Sequence, residues 1–262
     1  MLFSWLRSRR RRALAAAPFP AEWERLLVAG VRQVAWLPPD DGQLLRGMVA
    51  VLLAEKRFEG CGGLEVDDEI RVVTAGQMAL TALGLSVDLF DRLGSVLLYP
   101  GDFKAPRAES LGSGVDIEWR QPLEGEVSTT GAMALSWPRV RAGGRLRDGA
   151  RALVIHETAH LLDGLDGEID GAITGGGGRW EEQFAVCREH YAEVLDEGRA
   201  VPFDDYATTS PAEFFAVASE CFFQDPHPLW RFDHTLYDVL AMAWRQDPRR
   251  RVPVSGAARR GG

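Results

Sequence analysis

The order of apolar and polar positions along the chain predicts a protein built mostly from helices. Apolar residues recur at helical spacing over 20–34, where Trp23, Leu27 and Val31 would share one inward face. We predict further helices in the segments 43–56, 66–83, 150–162, 179–196, 210–223 and 229–244. This pattern favours a helix-dominated fold.

Short β-rich runs interrupt the helical pattern. We predict strands at 95–99 and 132–137, and hairpin strands at 115–119 within a loop-rich region. The segment 58–64 is rich in glycine and is predicted to be a connection, and 88–93 a short helical turn. Helices with one small sheet place the chain in the α+β class.

The two ends of the chain differ from the middle. Residues 1–19 carry five arginines, followed by a short apolar run that Pro18 ends. That run is shorter than the apolar core of a secretory signal peptide, so we predict a flexible basic tail over 1–19. The alternatives are a secretion signal and a tail that weakly contacts anionic lipid or nucleic acid. We predict a disordered tail over 249–262. No apolar run approaches the roughly 20 residues that a membrane span requires.

The candidate chemistry lies in one predicted helix, in the motif H-E-x-x-H formed by His156, Glu157 and His160. Residues four apart lie on one face of a helix, so both histidines can direct a ring nitrogen at one metal ion. Glu157 lies about 100° further round, a position suited to the general base of a zinc hydrolase. The alternative is a helix whose histidines only contact neighbouring side chains.

The spacing of residues leaves the third ligand of such a metal open. A catalytic zinc usually has three protein ligands. Glu213 and Glu220 lie seven residues apart on nearly the same face of the helix predicted over 210–223. Glu213 has an alternative role, because Ser210 and Glu213 fit a capping box at the start of this helix. His190 is a further candidate, although we expect it to be structural or solvent-exposed.

Segments near the motif add secondary candidates. Asp163 could orient one of the motif histidines, or it could be a turn residue at the end of the helix. The four glycines at 175–178 predict a mobile loop or a plain connector. The predicted strand at 132–136 is our candidate for pairing with a substrate backbone through main-chain groups.

Composition and charge narrow the function classes. A net charge of −8 argues against general nucleic-acid binding. The 3 cysteines are scattered and form no C-x-x-C, which argues against a disulfide framework or a cysteine-based zinc site. This cysteine usage fits a reducing compartment, so we predict a cytoplasmic location.

Two blocks of the sequence resemble a known family. The first is H-E-x-x-H-x-L-D from His156 to Asp163, and the second runs from Tyr206 to Phe223 as Y-A-x-T-x-P-A-E-x-F-A-V-x-S-E-x-F-F. Together they are similar to the Mlc titration factor A family of zinc metallopeptidases, of gluzincin type. The catalytic part of that family is in turn similar to anthrax lethal factor. The resemblance covers most of the chain.

The resemblance implies a complete metal site. The family's ligand glutamate follows a tyrosine by seven positions, which selects Glu213 as third ligand after Tyr206. One Zn²⁺ per chain would then be held by His156, His160 and Glu213. The implied catalytic residues are Glu157 as general base and Tyr206 as a donor to the oxyanion.

The resemblance also implies a function. It predicts a zinc-dependent, aminopeptidase-like enzyme acting on peptide or protein substrates, and binding to a transcriptional repressor of the Mlc type. Residues 20–248 would form one zincin-like domain, with a helical part at 20–94 and the metal site at 95–248. The alternatives are a regulator-binding protein with little catalysis and a zinc hydrolase of non-peptide amides. The presence of Glu157 favours catalysis, since binding alone needs no general base.

Overall fold

Helices make up most of the structure and enclose one small sheet. The computed structural model describes residues 2–102, 125–128, 131–145, 151–165, 171 and 178–254. The helices are α1 (Leu2–Ala16), α2 (Ala21–Gly30), α3 (Pro39–Glu55), α4 (Asp68–Ala82), α5 (Trp137–Gly144), α6 (Leu153–Asp163), α7 (Gly178–Asp196), α8 (Pro211–Gln224), α9 (Pro226–Phe232) and α10 (His234–Trp244). The strands are β1 (Arg57–Gly60), β2 (Ser95–Tyr99), β3 (Gly125–Ser128) and β4 (Ala132–Ser136). The predicted helix-dominated α+β class is confirmed.

The sheet has the strand order β1-β2-β4-β3. The strands β1, β2 and β4 are parallel, and β3 runs antiparallel to β4. The two predicted strands are confirmed as β2 and β4, and their apolar side chains Val96, Leu98, Met133 and Leu135 are buried in the core. The segment 58–64 was predicted to be a connection, but its first residues belong to β1. This strand was not predicted because it is largely exposed and its sequence does not alternate between apolar and polar residues.

The pairing of β4 corrects one functional prediction. This strand is hydrogen-bonded to β2 on one side and to β3 on the other. Its main-chain groups are therefore already paired and cannot also receive a substrate backbone. Along the described part of the sheet, the free edges belong to β1 and β3.

Helix α4 is the central element of the helical part. It packs against α2, α3, α5 and α6, and nearly all of its side chains from Ile70 onward are buried. Its polar residues are satisfied internally, since Thr74 Oγ1 donates to Ile70 O at 2.7 Å and Gln77 Nε2 donates to Val140 O at 2.9 Å. A buried polar group with a hydrogen-bond partner costs little folding free energy, so α4 forms a rigid support behind α6.

The prediction of a flexible tail over 1–19 is corrected, because residues 2–16 form α1 and pack on α3. Arg11 is only 9% exposed and donates to Glu55, with Nε 3.0 Å from Oε1. It also pairs with Asp88 and Asp91 near the start of β2. A buried guanidinium is stable only when it is paired in this way, and these pairs hold α1 in place.

The C-terminal region also differs from the prediction. The helix predicted over 229–244 is divided into α9 and α10 by Asp233, whose carboxylate accepts from Leu236 N at 3.0 Å as an N-cap. Part of the predicted tail over 249–262 is ordered, since Val252 is buried and its carbonyl lies 2.8 Å from His227 Nε2. Residues 255–262 lie outside the described chain.

Other predictions fall on residues that the structure does not describe. These are the hairpin strands at 115–119 and the glycine run up to residue 177, whereas Gly178 begins α7. None of the described helices is long and apolar enough to cross a bilayer.

Candidate metal centre

The predicted motif helix is α6, and it packs against α8. It begins at Leu153, three residues later than predicted, and all of its apolar side chains except the partly buried Leu161 are buried. The buried set consists of Leu153, Val154, Ile155, Ala159 and Leu162. Because these side chains face the core, the helix turns His156 and His160 together towards α8.

Three side chains from these two helices meet at one point. His156 Nε2 lies 3.2 Å from His160 Nε2 and 3.2 Å from Glu213 Oε2. His160 Nε2 lies 3.5 Å from Glu213 Oε1. Glu213 occupies the first turn of α8, where its N–H donates to Ser210 Oγ at 3.1 Å. The structure thus contains the Ser210 half of the predicted capping box, and the Glu213 carboxylate lies against the histidines.

Glu220 orients His156 from the opposite side of the ring. Its Oε1 lies 2.8 Å from His156 Nδ1, and its Oε2 accepts from the Ala152 backbone N–H at the start of α6. A carboxylate at Nδ1 assigns the proton to that nitrogen. The lone pair of His156 Nε2 is then directed at His160 and Glu213.

This arrangement fits a metal ion better than a hydrogen-bond network. The facing atoms are ring nitrogens with lone pairs and carboxylate oxygens, all of which are acceptors when the histidines are neutral. Glu213 Oε2 is buried without a hydrogen-bond partner in the described structure. Ligand atoms about 2.0–2.1 Å from a tetrahedral zinc lie about 3.4 Å from one another, close to the separations seen here. Among the described His, Cys, Asp and Glu residues, these three form the group whose ligand atoms lie close enough together to hold one metal ion.

The charged groups of the cluster shift one another's pKa values. Burial alone would lower the pKa of His156, but the neighbouring carboxylates of Glu213 and Glu220 outweigh this effect and raise that pKa. Burial likewise opposes ionisation of Glu213, and the two neighbouring histidines outweigh that effect and lower its pKa. The carboxylates therefore favour positive charge at this point, and a bound cation would supply that charge while the histidines stay neutral.

Glu157 lies beside the cluster and is only 3% exposed. Its Oε2 has no hydrogen-bond partner among the described groups. Burial raises the pKa of Glu157 to about 7, with the two neighbouring histidines acting in the opposite direction. A carboxylate held in this way can exchange a proton with a group that enters the site.

Tyr206 lies in a short 3₁₀ helix (Asp205–Thr208) that packs against α8. Its ring is partly buried, and the Arg151 guanidinium lies over it, 5.2 Å from the ring centre. Asp204 links the pair, since its carboxylate accepts from Tyr206 N at 2.8 Å and pairs with Arg151 at 3.1 Å. Arg151 directly precedes Ala152, so Tyr206 and the Glu220–His156 contact are connected through the start of α6.

The remaining sequence candidates lie elsewhere. Asp163 accepts from Gly171 N, with both oxygens at 3.0 Å, which ties the end of α6 to the segment ahead of α7. His190 stacks on Phe232, 5.7 Å between ring centres, and does not join the cluster. From the sequence, Glu220 was one of several candidates for the third ligand, because it lies seven residues after Glu213. Arg151 was not predicted, because no local pattern distinguishes it from other arginines.

The chain is similar over most of its length to known proteins. The chain is 31% identical over 245 residues to the uncharacterized protein slr2042 of Synechocystis sp., covering 91% of this chain and 89% of that protein. It is 28% identical over 243 residues to Mlc titration factor A of Klebsiella pneumoniae (strain 342), with 89% of each chain covered.

One solved structure is also similar in part. It is the crystal structure of a candidate zinc-binding metallo-peptidase from Bacteroides caccae, with 14% identity, a TM-score of 0.33, and coverage of 82% of this chain and 94% of that one. A likeness at this level supports no inference about the present chain.

The family assignment rests on a match along nearly the whole chain. The profile of the glucose-regulated metallo-peptidase M90 family matches residues 5–245, which include α6, the 3₁₀ helix of Tyr206 and α8. The resemblance to Mlc titration factor A predicted from the two sequence blocks is confirmed by named relatives. This protein belongs to the glucose-regulated metallo-peptidase M90 family.

Proposed function

We propose that the protein is a zinc-dependent peptidase that holds one Zn²⁺ per chain with His156, His160 and Glu213. The observation that carries this proposal is the convergence of two ring nitrogens and one carboxylate at 3.2–3.5 Å. Two imidazoles and a carboxylate are a common ligand set of catalytic zinc. Membership of a metallo-peptidase family supports the same chemistry. When bound, zinc would supply a Lewis acid and lower the pKa of a water molecule.

The residues around the ligands have distinct roles in this proposal. Glu157 accepts the proton of the attacking water and returns it to the leaving amine, which a buried carboxylate beside the ligands is placed to do. The Tyr206 hydroxyl donates to the oxyanion that develops on the peptide carbonyl. β3 contacts α6 and has a free edge in the described sheet, so it replaces β4 as the candidate for pairing with a substrate backbone.

The test combines metal content with activity. We expect about one zinc per chain in wild type and in Glu157→Gln, and much less in His156→Ala and Glu213→Ala. Peptide hydrolysis should fall at least about a hundredfold in Glu157→Gln, because loss of a general base costs that much. Full zinc in Glu213→Ala would contradict the ligand assignment. Wild-type hydrolysis by Glu157→Gln would contradict the mechanism.

We further propose an aminopeptidase-like preference, on the basis of the family resemblance. Peptides with a free amino terminus should be cleaved from that end, and the same peptides with an acetylated terminus should resist cleavage. Internal cleavage of both series at equal rates would contradict this preference and leave the zinc peptidase in place.

A second candidate function is binding of a transcriptional repressor of the Mlc type. The name of the Klebsiella relative, 28% identical over 89% of the chain, favours it. If repressor binding is the main function, Glu157→Gln should bind the repressor as wild type does and retain the biological effect. Loss of the effect with binding intact would favour catalysis. We further propose a cytoplasmic location, which fits both functions and is supported by three scattered cysteines with no C-x-x-C.

A further inference from the structure

The outward face of α1 is apolar at its start and basic further along. Trp5 and Leu6 are 52% and 47% exposed, although large apolar side chains are usually buried. Arg9 lies one turn after Trp5, and its guanidinium stands 5.6 Å from the centre of the indole ring. Arg10 and Arg12 are also exposed on the same helix. An apolar end joined to a basic stretch is typical of helices that lie on membrane surfaces.

The opposite side of α1 fixes which face points outward. Arg11 is buried there against Glu55. Ala15 approaches α3 so closely that a side-chain carbon added at Gly47 would stand 2.9 Å from the Ala15 Cβ. Because the inner face is held by ion pairs and close packing, Trp5 and Leu6 cannot turn inward without breaking both.

The charge of α1 contrasts with the rest of the molecule. The helix has five arginines and no acidic residue, whereas the whole chain carries −8, so the remainder carries −13. Arg7 and Arg11 pair with Asp91 and its neighbours. Within the described structure, no acidic side chain pairs with Arg9, Arg10 or Arg12. Three guanidinium groups are therefore available to an external anion.

A mainly apolar groove lies between α1 and α3 beside Arg12. It has a volume of about 490 Å³, and its lining combines Leu44, Met48, Val51 and Val87 with the polar side chains of Asp40 and Gln43. Leu44 at its rim is 46% exposed. An apolar groove next to an unpaired arginine matches the two parts of a phospholipid, its acyl chain and its phosphate.

We propose that α1 is a peripheral membrane anchor that binds an anionic phospholipid surface. Trp5 and Leu6 enter the boundary between headgroups and acyl chains, where tryptophan is favoured. Arg9, Arg10 and Arg12 contact the lipid phosphates. A nucleic acid would also attract these arginines, but it would leave Trp5 and Leu6 without an apolar environment. The proposal is independent of the peptidase activity, because none of these residues belongs to the metal centre.

The first test measures flotation of the full-length protein with vesicles. We expect binding to mixed phosphatidylcholine and phosphatidylglycerol vesicles, and little binding to pure phosphatidylcholine. The variant Arg9→Gln/Arg10→Gln/Arg12→Gln should bind about a hundredfold more weakly. The matched control Arg25→Gln/Arg199→Gln/Arg250→Gln removes three exposed arginines from other sites, at 71%, 63% and 85% exposure, and should bind like wild type. Equal loss in both variants would overturn the assignment to α1.

The second test separates a membrane from a nucleic acid. Trp5→Ser/Leu6→Ser should weaken vesicle binding about tenfold or more. The control Val186→Ser/Met242→Ser, at positions 63% and 59% exposed, should leave it unchanged. Vesicle binding that is insensitive to Trp5→Ser/Leu6→Ser would overturn the proposal. So would duplex DNA that displaces the protein from vesicles and binds both wild type and this variant equally well. Circular dichroism and urea unfolding of every variant check that its fold is intact.

Discussion

At the scale of single residues, the site depends on which atom of each side chain faces which neighbour. Glu213 and Glu220 come from the same face of α8, yet they meet different nitrogens of His156. Glu213 lies 3.2 Å from Nε2, and Glu220 lies 2.8 Å from Nδ1. The first is therefore a candidate ligand and the second holds the ring in position.

Replacing Glu220 with glutamine should weaken zinc binding without removing the ligand set. The amide keeps an acceptor for His156 Nδ1–H but loses the charge that makes the imidazole a stronger ligand. We expect zinc affinity to fall about ten- to a hundredfold in competition with a chelating dye. Glu193→Gln on the exposed side of α7 is the matched control. An unchanged affinity in Glu220→Gln would contradict the orienting role.

Arg151 should act on catalysis through Tyr206. Its guanidinium lies over the phenol ring and pairs with Asp204, which caps the turn carrying that ring. We expect Arg151→Met to lower kcat/KM about tenfold, with partial recovery in Arg151→Lys. In a Tyr206→Phe background the same change should have almost no further effect. Losses that multiply in the double variant would show that the two residues act separately.

At the scale of elements, an ion pair joins α1 to α3, although the sequence pattern of α1 predicted a flexible tail. Arg11 and Glu55 have side chains only 10% and 14% exposed. The hydrogen bond from Arg11 lowers the pKa of Glu55, against the opposing effect of burial. Because the pair is shielded from water, loss of one partner would leave the other charge buried and unpaired, which costs more folding free energy than breaking an exposed ion pair.

The contribution of Glu55 should depend on pH in a defined direction. Its folded pKa is lowered, so its stabilisation is present above the unfolded pKa of about 4.3 and is lost as the pH falls through the folded value. We expect Glu55→Gln to cost about 2 kcal/mol near pH 7, and the difference from wild type to shrink below about pH 4. Urea unfolding would measure this difference in the free energy of unfolding, and amide exchange would measure the local stability of α1.

The control for this prediction is Glu197→Gln, which removes an exposed carboxylate paired with Arg199. It should change the free energy of unfolding by less than about 0.5 kcal/mol at every pH. A Glu55→Gln difference that grows towards acid pH would contradict the assignment of the charged form to the folded state.

At the scale of the whole molecule, the candidate metal centre joins elements that are distant in the chain. The proposed ligands come from α6 and α8, and α4 supports α6 from behind. Asp163 and Gly171 close the other end of α6. A ligand that binds only the folded state adds its binding free energy to the stability of this whole arrangement.

Removal of metal should therefore lower the melting temperature. At a free zinc concentration about a thousandfold above Kd, the stabilisation is about 4 kcal/mol, which corresponds to about 10 °C for a chain of this size. We expect a chelator to produce this shift in wild type and none in His156→Ala. An equal shift in His156→Ala would show that the chelator acts elsewhere, and no shift in wild type would contradict tight binding.

Several features were predictable because their patterns are local. The helical period placed His156 and His160 on one face, and the apolar stripes located most helices. The strands β2 and β4 were recognisable from β-rich runs bounded by breakers. The missed elements lacked such patterns, since β1 is largely exposed and non-alternating, and α1 contains a run of arginines that resembles a disordered tail.

Local sequence patterns were enough to predict the helical character, the H-E-x-x-H pair and a short set of candidates for the third ligand. Each of these depends on residues within two or three turns of one helix. Long-range packing determines which carboxylate faces Nε2 of His156, that β4 is paired on both sides, and that Arg11 is buried against Glu55. These contacts join residues that are far apart in the chain, and their geometry depends on how whole helices and strands pack, which no local period specifies.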